Sequence, residues 1–315
     1  MTKDFCTFFD KNYLTRGMAL YYSLLEHCPD FTLWILCMDT ESFAMLEKLK
    51  LEKIKLLKVT DVEDKRMLDV KPTRTAVEYM WMFGSQLSLF ILEKTGIDMI
   101  TYLDADLYFY APMEEIYREF GDKSIMIIPH RYPDNKIHLE KISGIYNVGM
   151  LIFRNDKNAL ECLNWWKDRC IEWCFNRNED GKLGDQMYLN DWPTRFKNVH
   201  VLKHLGANVA PWNIDRSTFK KNGGEIIGTD KTSGLKFLLI FYHFHGLKIY
   251  ANKAGRIKFY PITLLNHDIY GQYLKAIQKA YSHIRSTVPS WNYGFAKRLD
   301  ILRYIKQYVT MFFKR

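Results

Sequence analysis

Ile100-Thr101-Tyr102-Leu103-Asp104-Ala105-Asp106-Leu107-Tyr108-Phe109-Tyr110 is an apolar run that ends in two aspartates and resumes with aromatics. Met99–Leu103 reads as a buried strand that stops at Asp104. In extended chain, residues two apart project to the same side, so Asp104 and Asp106 can converge on one cation or one charged ligand. Open α/β sheets bind ligands at the carboxyl ends of their strands. A hard divalent ion, held by one or two carboxylates and completed by phosphate oxygens, is the usual way to neutralise a diphosphate. On the motif alone, the same two acids also read as a solvated strand-end turn.

Upstream of that run the chain alternates. Phe5–Phe9 reads as a first strand and Leu14–His27 as a helix. Phe31–Met38, bounded by Pro29-Asp30 and Asp39-Thr40, reads as a fully buried parallel strand. Glu41–Lys50 reads as a helix and Ile54–Val59 as a third strand. This alternation predicts an α/β fold with an open, mostly parallel sheet flanked by helices. Thr75–Lys94 reads as one helix, weakened at Gly84-Ser85, and Met113–Phe120 as a short one. Downstream, Ser124–Pro129, Gly144–Phe153 and Lys236–His243 read as strands, Asn158–Phe175 as a helix and Asp185–Asn190 as a helical turn. Ser217–Gly234, rich in Gly, Lys and Thr, reads as a mobile loop. We divide the chain into a main domain over 1–262 and a helical C-terminal region over 263–315.

With 48% hydrophobic and 26% charged residues, the chain has the composition of a globular protein able to bury a sizeable core. A net charge of +9 suits an anionic partner: nucleic acid, a phosphate-rich ligand or an anionic membrane. No nucleic-acid motif is present, which sets the first aside. The N-terminus, MTKDFCTFFD, brings an acid almost at once, so no signal peptide is expected. No run approaches the roughly 20 apolar residues of a spanning helix. The expected location is the cytoplasm. Six cysteines without a C-x-x-C pair fit reduced, buried thiols.

Other stretches could supply partners for the two aspartates. Asp10-Lys11-Asn12-Tyr13 leaves the first strand as polar residues beside an aromatic, and by itself such a stretch is more commonly a helix start. Tyr146-Asn147-Val148-Gly149-Met150 enters a strand through a glycine that permits close backbone approach, or is a tight turn into a core strand. Gly184-Asp185-Gln186 places an acid at a helix start. In Tyr242-His243-Phe244-His245-Gly246-Leu247-Lys248, alternation puts His243 and His245 on one strand face, so either could join the aspartates. The apolar strand with D-x-D also resembles the opening motif of haloacid-dehalogenase-like phosphohydrolases, with Asp104 as nucleophile. Against that, Tyr108 stands where Thr or Val is usual, and the motif lies behind three βα units.

Taken in order from about Phe5 to Lys248, these stretches resemble the GT-A fold glycosyltransferases, nearest to the family 8 retaining enzymes such as lipopolysaccharide galactosyltransferases and glycogenin. The resemblance implies that 1–262 is a GT-A catalytic domain. It implies that Phe8, Asp10, Asn12 and Tyr13 hold a nucleoside, that Asp104 touches ribose and metal, and that Asp106 and His243 complete the metal site. Mn2+ suits a histidine ligand better than Mg2+. By the same resemblance Asn147 and Gly149 face the donor sugar, Asp185 binds its hydroxyls, Gln186 lies near the anomeric carbon, and Gly246 and Lys248 contact the diphosphate. Pro211-Trp212-Asn213 matches a further block. The implied activity is transfer of a hexose from a nucleotide-diphosphate sugar, with UDP expected, to a saccharide or lipid-linked saccharide, in cell-surface polysaccharide or lipopolysaccharide synthesis. A non-catalytic GT-A-like protein that binds nucleotide or glycan is the other alternative.

The chain departs from the family's pattern in places. Lys248 follows the glycine by two residues rather than three, and no Pro-Trp follows it. Where relatives often carry a donor-sugar arginine, this chain has Glu78-Tyr79-Met80-Trp81. His130-Arg131 stands where some relatives carry an acid, facing sugar or acceptor. Hexose identity and stereochemical outcome stay open. From Ala296 the chain reads AKRLDILRYIKQYVTMFFKR, with Leu302, Ile305, Val309 and Phe312 at helical spacing among six cations and one acid, Asp300. This resembles an interfacial helix on anionic lipid. It reads equally as a helix packed on the domain with a solvated basic face.

Overall fold

The computed structural model describes residues 2–251, 257–260 and 267–296. The basic stretch from Lys297 and the boundary drawn at 262 lie outside these residues. β1 (Lys3–Phe9), α1 (Leu14–His27), β2 (Phe31–Cys37), α2 (Thr40–Leu49) and β3 (Ile54–Lys58) follow the alternation read from the sequence. β1 pairs in parallel with β2, and β2 with β3. β4 (Met99–Leu103) lies on the other side of β1, also parallel, and leads through Asp104–Asp106 into β5 (Leu107–Phe109). β6 (Ile125–Pro129), β7 (Tyr146–Arg154) and β8 (Val199–Val201) complete a seven-stranded sheet of order β3-β2-β1-β4-β7-β6-β8. β7 runs antiparallel to both β4 and β6. That reversal positions the site: the start of β7 lies beside the end of β4, where Leu103 faces Met150.

Strand side chains alternate between two helical layers, as the pleat requires. Phe5, Phe9, Leu103 and Met150 pack with α1, α2 and the helix His267–Thr287. Cys6, Tyr102 and Leu151 pack on the other face with the helices Phe83–Thr95 and Lys157–Glu172. Tyr273, Ile277, Ala280 and Ile284 of His267–Thr287 share the core of α1, so this part of the C-terminal region packs on the main sheet's own layer. The six cysteines are free and buried. Among the described residues no helix is long and apolar enough to cross a membrane.

Four elements differ from the sequence reading. The helix expected over Thr75–Lys94 is two, Ala76–Trp81 and Phe83–Thr95, and they join at Met82 rather than breaking at Gly84. Gly84 instead gives room to the Trp166 ring; a Cβ there would lie 3.1 Å from Trp166 Cη2. The helix expected to run to Phe175 stops at Glu172, which leaves Cys174 beyond it with its Sγ against the Glu78 carbonyl. The run Lys236–His243 is two strands in different sheets, β11 (Lys236–Leu238) and β12 (Phe241–His243). β12 pairs with β5 while β11 extends a hairpin.

That hairpin corrects the mobile loop read over Ser217–Gly234. β9 (Ser217–Asn222) and β10 (Glu225–Asp230) pair antiparallel across Gly223-Gly224. Asp230, almost fully buried, anchors it. The carboxylate accepts from Arg216 Nε (2.8 Å), Ser233 N (2.8 Å), Ser233 Oγ (2.8 Å) and Thr232 N (3.1 Å). Burial alone would raise its pKa, but the Arg216 and Ser233 hydrogen bonds outweigh it and pull the value down to about 2. A depressed carboxylate contributes stability above its unfolded pKa and loses it as pH falls toward the folded value. Asp230→Asn should therefore lower stability by about 2 kcal/mol at pH 7 and flatten the loss between about pH 4 and 2. Urea titration at several pH values checks both; an unchanged midpoint at pH 7 would refute the anchor.

Candidate active site

The site begins with the backbone around Asp104. Its N–H donates to the Gly149 carbonyl at 2.8 Å, and Leu107 N donates back to the Asp104 carbonyl at 3.2 Å, so the chain turns as it leaves β4. β12 then lies along β5 with His243 opposite Leu107, and Phe244 N donates to the Asp106 carbonyl at 2.9 Å. Three segments far apart in sequence thus converge. His243 Nε2 lies 3.1 Å from Asp106 Oδ1 and 3.6 Å from Asp104 Oδ2, and one ligand atom from each of Asp104, Asp106 and His243 falls within a 4.8 Å group.

A chain of amides fixes the orientation of His243. The Ser143 carbonyl can only accept, so it takes Gln186 Nε2 at 2.7 Å. Gln186 Oε1 then accepts from Asn147 Nδ2 at 2.9 Å and Val148 N at 3.3 Å. Asn147 Oδ1 accepts from Gly149 N at 3.0 Å and faces His243 Nδ1 at 3.2 Å. The proton of the neutral ring therefore sits on Nδ1, and the Nε2 lone pair points at the carboxylates, as a metal ligand requires. Tyr102 OH holds Asp104 Oδ1 from the other side at 2.7 Å. Trp212 places its edge on His243, with ring centroids 5.3 Å apart, and its Nε1 donates to the His130 carbonyl at 3.0 Å.

The electrostatics of the three groups fit a cation. Burial pushes the Asp104 carboxyl up and the neighbouring Asp106 charge adds to it, more than His243 offsets. Burial opposes ionisation of Asp106 too, but His243 beside it holds that carboxyl below its usual value. Burial would lower His243, and Asp106 and Asp104 outweigh it. Two clustered acids and one imidazole of this geometry match the oxygen and nitrogen donors that Mn2+ or Mg2+ takes.

These groups open into a cavity of about 590 Å³. Phe8 lines it from the end of β1, Asp10, Asn12 and Tyr13 from the loop after β1, and Asn147, Asp185 and Gln186 from β7 and the turn that follows Gly184. Asp10 also closes the start of α1, accepting from Asn12 N (2.9 Å) and Tyr13 N (3.2 Å), so the helix-start reading and the cavity-lining reading hold together. Asp185 is buried with its carboxyl pushed up to about 8, by burial first and by the Asp104 charge second. Gly184, at φ +54°, lets this turn press on Trp81, where a Cβ would lie 3.0 Å from Cε3. Trp166 Nε1 donates to the Asp185 carbonyl at 2.9 Å.

Several expected residues lie elsewhere. Gly246 and Lys248 are not among the residues lining the cavity, and Lys248 is exposed at the start of β13 (Lys248–Ala251). His130 is buried, stacked on Tyr132, and Arg131 donates to the carbonyls of Ala207 (2.7 Å) and Leu202 (2.8 Å), so neither faces the cavity. His245 lines the cavity but falls outside the three-ligand group. Four carboxylates, Asp10, Asp104, Asp106 and Asp185, line the cavity, and among the described residues no Lys or Arg does. Val77, Ser143, Asn176 and Leu183, which sequence reasoning did not single out, also line it, as do Met80, Trp81 and Tyr102. Tyr102 had a signal in alternation, which puts it on the face of Asp104, and Met80 and Trp81 had one in standing where relatives often carry a donor-sugar arginine.

Gly149 gives a direct test of this packing. A Cβ there would lie 2.6 Å from Asn147 Oδ1 and 2.8 Å from His243 Nδ1, both buried groups without room to retreat. Gly149→Ala should weaken Mn2+ binding by about tenfold to a hundredfold, the range for disturbed partners of metal ligands. Calorimetric titration with Mn2+ reads this, and wild-type affinity in the variant would show that Asn147 does not hold His243.

No family model matches the chain. It is 34% identical over 310 residues to YfnF, an uncharacterized protein of Bacillus subtilis, across 95% of this chain and 99% of that protein. It is 30% identical over 302 residues to a second uncharacterized Bacillus subtilis protein, YfnD, across 93% and 94%. Its structure is similar to the galactosyltransferase LgtC in complex with donor and acceptor sugar analogs, with TM-score 0.53, 13% identity, and 95% and 99% of the two chains covered. An active-site mutant of LgtC superposes with TM-score 0.56 at 13% identity, over 96% and 99%. At that identity the likeness is one of fold, and the fold is GT-A.

Proposed function

The chain belongs to the family of YfnF and YfnD and has the GT-A fold, and on that premise we propose that it is a metal-dependent glycosyltransferase. It transfers a hexose from a nucleotide-diphosphate sugar, UDP-linked on this reading, to a saccharide or lipid-linked saccharide in cell-surface polysaccharide or lipopolysaccharide assembly. The observation that carries the reading is the Asp104–Asp106–His243 group in a cavity lined by four carboxylates and, among the described residues, by no Lys or Arg. A diphosphate would meet four carboxylates there, so a cation would ease its entry, and the three converging donors supply the place for one. The GT-A fold sets aside the phosphohydrolase alternative with Asp104 as nucleophile.

Asp104, Asp106 and His243 would hold Mn2+ or Mg2+, which supplies Lewis-acid stabilisation of the diphosphate leaving group. The rest of the work falls to the chain's own side chains. Asn147 keeps the His243 ring in its working tautomer. Gln186 has both ends of its amide engaged, by Ser143 and by Asn147 and Val148, which suits a group that supports and orients rather than one that attacks. Tyr13 and Phe8 offer ring faces to a base, and Asp185 offers a carboxyl to sugar hydroxyls. With an oxocarbenium-like transition state and Gln186, an amide rather than a carboxylate, near the anomeric carbon on this reading, a retaining course fits. The composition of 297–315 supports a peripheral position on the inner face of the cell membrane, beside a lipid-linked acceptor.

The deciding experiment measures nucleotide release from UDP-, GDP-, CDP- and dTDP-sugars with Mn2+ and with chelator. Release of one nucleotide, abolished by chelator, is the expected result. Nucleotide binding without consumption of any donor, in the presence of candidate acceptors, would favour a non-catalytic GT-A-like binding protein. Absence of metal-dependent nucleotide binding by calorimetry would refute the glycosyltransferase reading.

A further inference from the structure

Arg16 stands in the first turn of α1 and is almost fully buried. Its Nη1 donates to the Asn12 carbonyl at 3.1 Å and its Nη2 to the Leu247 carbonyl at 3.1 Å, while the guanidinium lies 4.4 Å over the Tyr13 ring. These partners belong to two different loops. Asn12 and Tyr13 line the cavity after β1. Leu247 closes the turn that follows His243, bonding to the Phe244 carbonyl at 3.2 Å, and Phe244 N is tied to the Asp106 carbonyl. Gly294 backs the same Asn12 carbonyl so closely that a Cβ there would lie 2.8 Å from it. The loop after β1 is thus gripped from two directions.

We propose that Arg16 is a positioning residue that clasps the loop bearing Asn12 and Tyr13 to the turn that follows His243, and so makes nucleotide binding and metal binding interdependent. The inference rests on the reading of the cavity as a nucleotide-sugar site. The side chain suits the task. A guanidinium is a planar fork whose two ends reach two carbonyls at once, whereas an ammonium is a point charge on a flexible stem. The bonds are charge-assisted, and losing the donor leaves two part-buried carbonyls without this partner. Stacking on Tyr13 fixes the ring that a base would meet. Ordering either loop from outside, by nucleotide or by metal, then orders the other, which is a coupling between two sites.

The test uses the full chain as wild type, Arg16→Met and Arg16→Lys. Calorimetry gives the affinity for Mn2+ alone, for UDP alone and for UDP with saturating Mn2+, and hydrogen exchange reads residues 10–13 and 244–248 without metal. In Arg16→Met, Mn2+ alone should bind within about threefold of wild type, UDP with Mn2+ should weaken about tenfold to a hundredfold, and both segments should exchange faster. Arg16→Lys, which keeps the charge and guards against loss of fold, should recover less than half of the coupling. UDP affinity with Mn2+ unchanged in both variants overturns the proposal. So does an equal fall in Mn2+ and UDP affinity together with the thermal midpoint, which is the mark of a merely structural clamp. Failure of wild type itself to bind UDP with Mn2+ is a different result, because it removes the nucleotide-site reading and this inference with it.

Discussion

Asp106→Ala is expected to lower metal-dependent sugar transfer about a thousandfold and to abolish the Mn2+ enhancement of nucleotide binding. Asp106 is the acid nearest His243, at 3.1 Å, and the one held ionised most firmly by its surroundings. Without it the group keeps one carboxylate and one imidazole, too few protein donors to hold a divalent ion against water. Lewis-acid assistance to a departing diphosphate is worth several kcal/mol, and about 4 kcal/mol corresponds to the thousandfold loss. The fold should survive the change. The Asp106 backbone bond to Phe244 remains, and removing one of two adjacent acids relieves their mutual repulsion, so stability should move by no more than about 1 kcal/mol. Donor turnover and Mn2+ titration on the same preparation settle it. A variant that kept transfer within threefold, still lost with chelator, would place the metal elsewhere in the cavity.

The part of this site that was legible in sequence is the part carried by short periodicities. Asp104 and Asp106 share a strand end, and a period of two puts them on one side wherever the strand goes. Nothing in the composition of Gly144–Phe153 told that β7 runs against β4, yet that reversal sets Asn147 and Gly149 beside Asp104. The run Lys236–His243 read as one strand because it is apolar throughout. Leu239 and Ile240 are buried where the chain leaves one sheet for another, so hydrophobicity there marks depth rather than continuity. The hairpin Ser217–Asp230 read as part of a loop because the stretch is rich in Gly, Lys and Thr; its Lys220, Lys221 and Glu225 face solvent, and its order comes from the buried Asp230 and from cross-strand pairing that a local window does not see. Arg16 and Gln186 make the same point about the site. Their partners are Leu247, 231 residues away, and Ser143, 43 away, and no spacing rule reaches that far.

Asp185→Asn is expected to reduce transfer by about a hundredfold or more while making the protein more stable at neutral pH and above. The carboxyl is buried, no other side chain among the described residues donates to it, and it faces the Asp104 charge, so its pKa stands at about 8 instead of the usual range near 4. The sign of the linkage follows. With the folded pKa above the unfolded one, the folded state holds the extra proton between about pH 4 and pH 8, and its stability falls as pH rises through that window. Asparagine never ionises, so the variant should lose that slope. A full conversion at about 1.4 kcal/mol per pH unit would overstate the gain because the cavity is open to water, and roughly 2 kcal/mol at pH 8 is expected. The loss of activity has the same origin. A carboxyl that ionises near the working pH can offer sugar hydroxyls either a donor or two acceptors, and an amide cannot make that change. Such exchange of stability for function is common where strained groups line a site. Urea unfolding from pH 5 to 9, set beside kcat/KM over the same range, tests both halves. The wild type should show an inflection near pH 8 that the variant lacks. Equal stability of the two proteins across that range would mean that Asp185 is ionised throughout, and the unfavourable encounter with Asp104 would then have to be relieved by some other group.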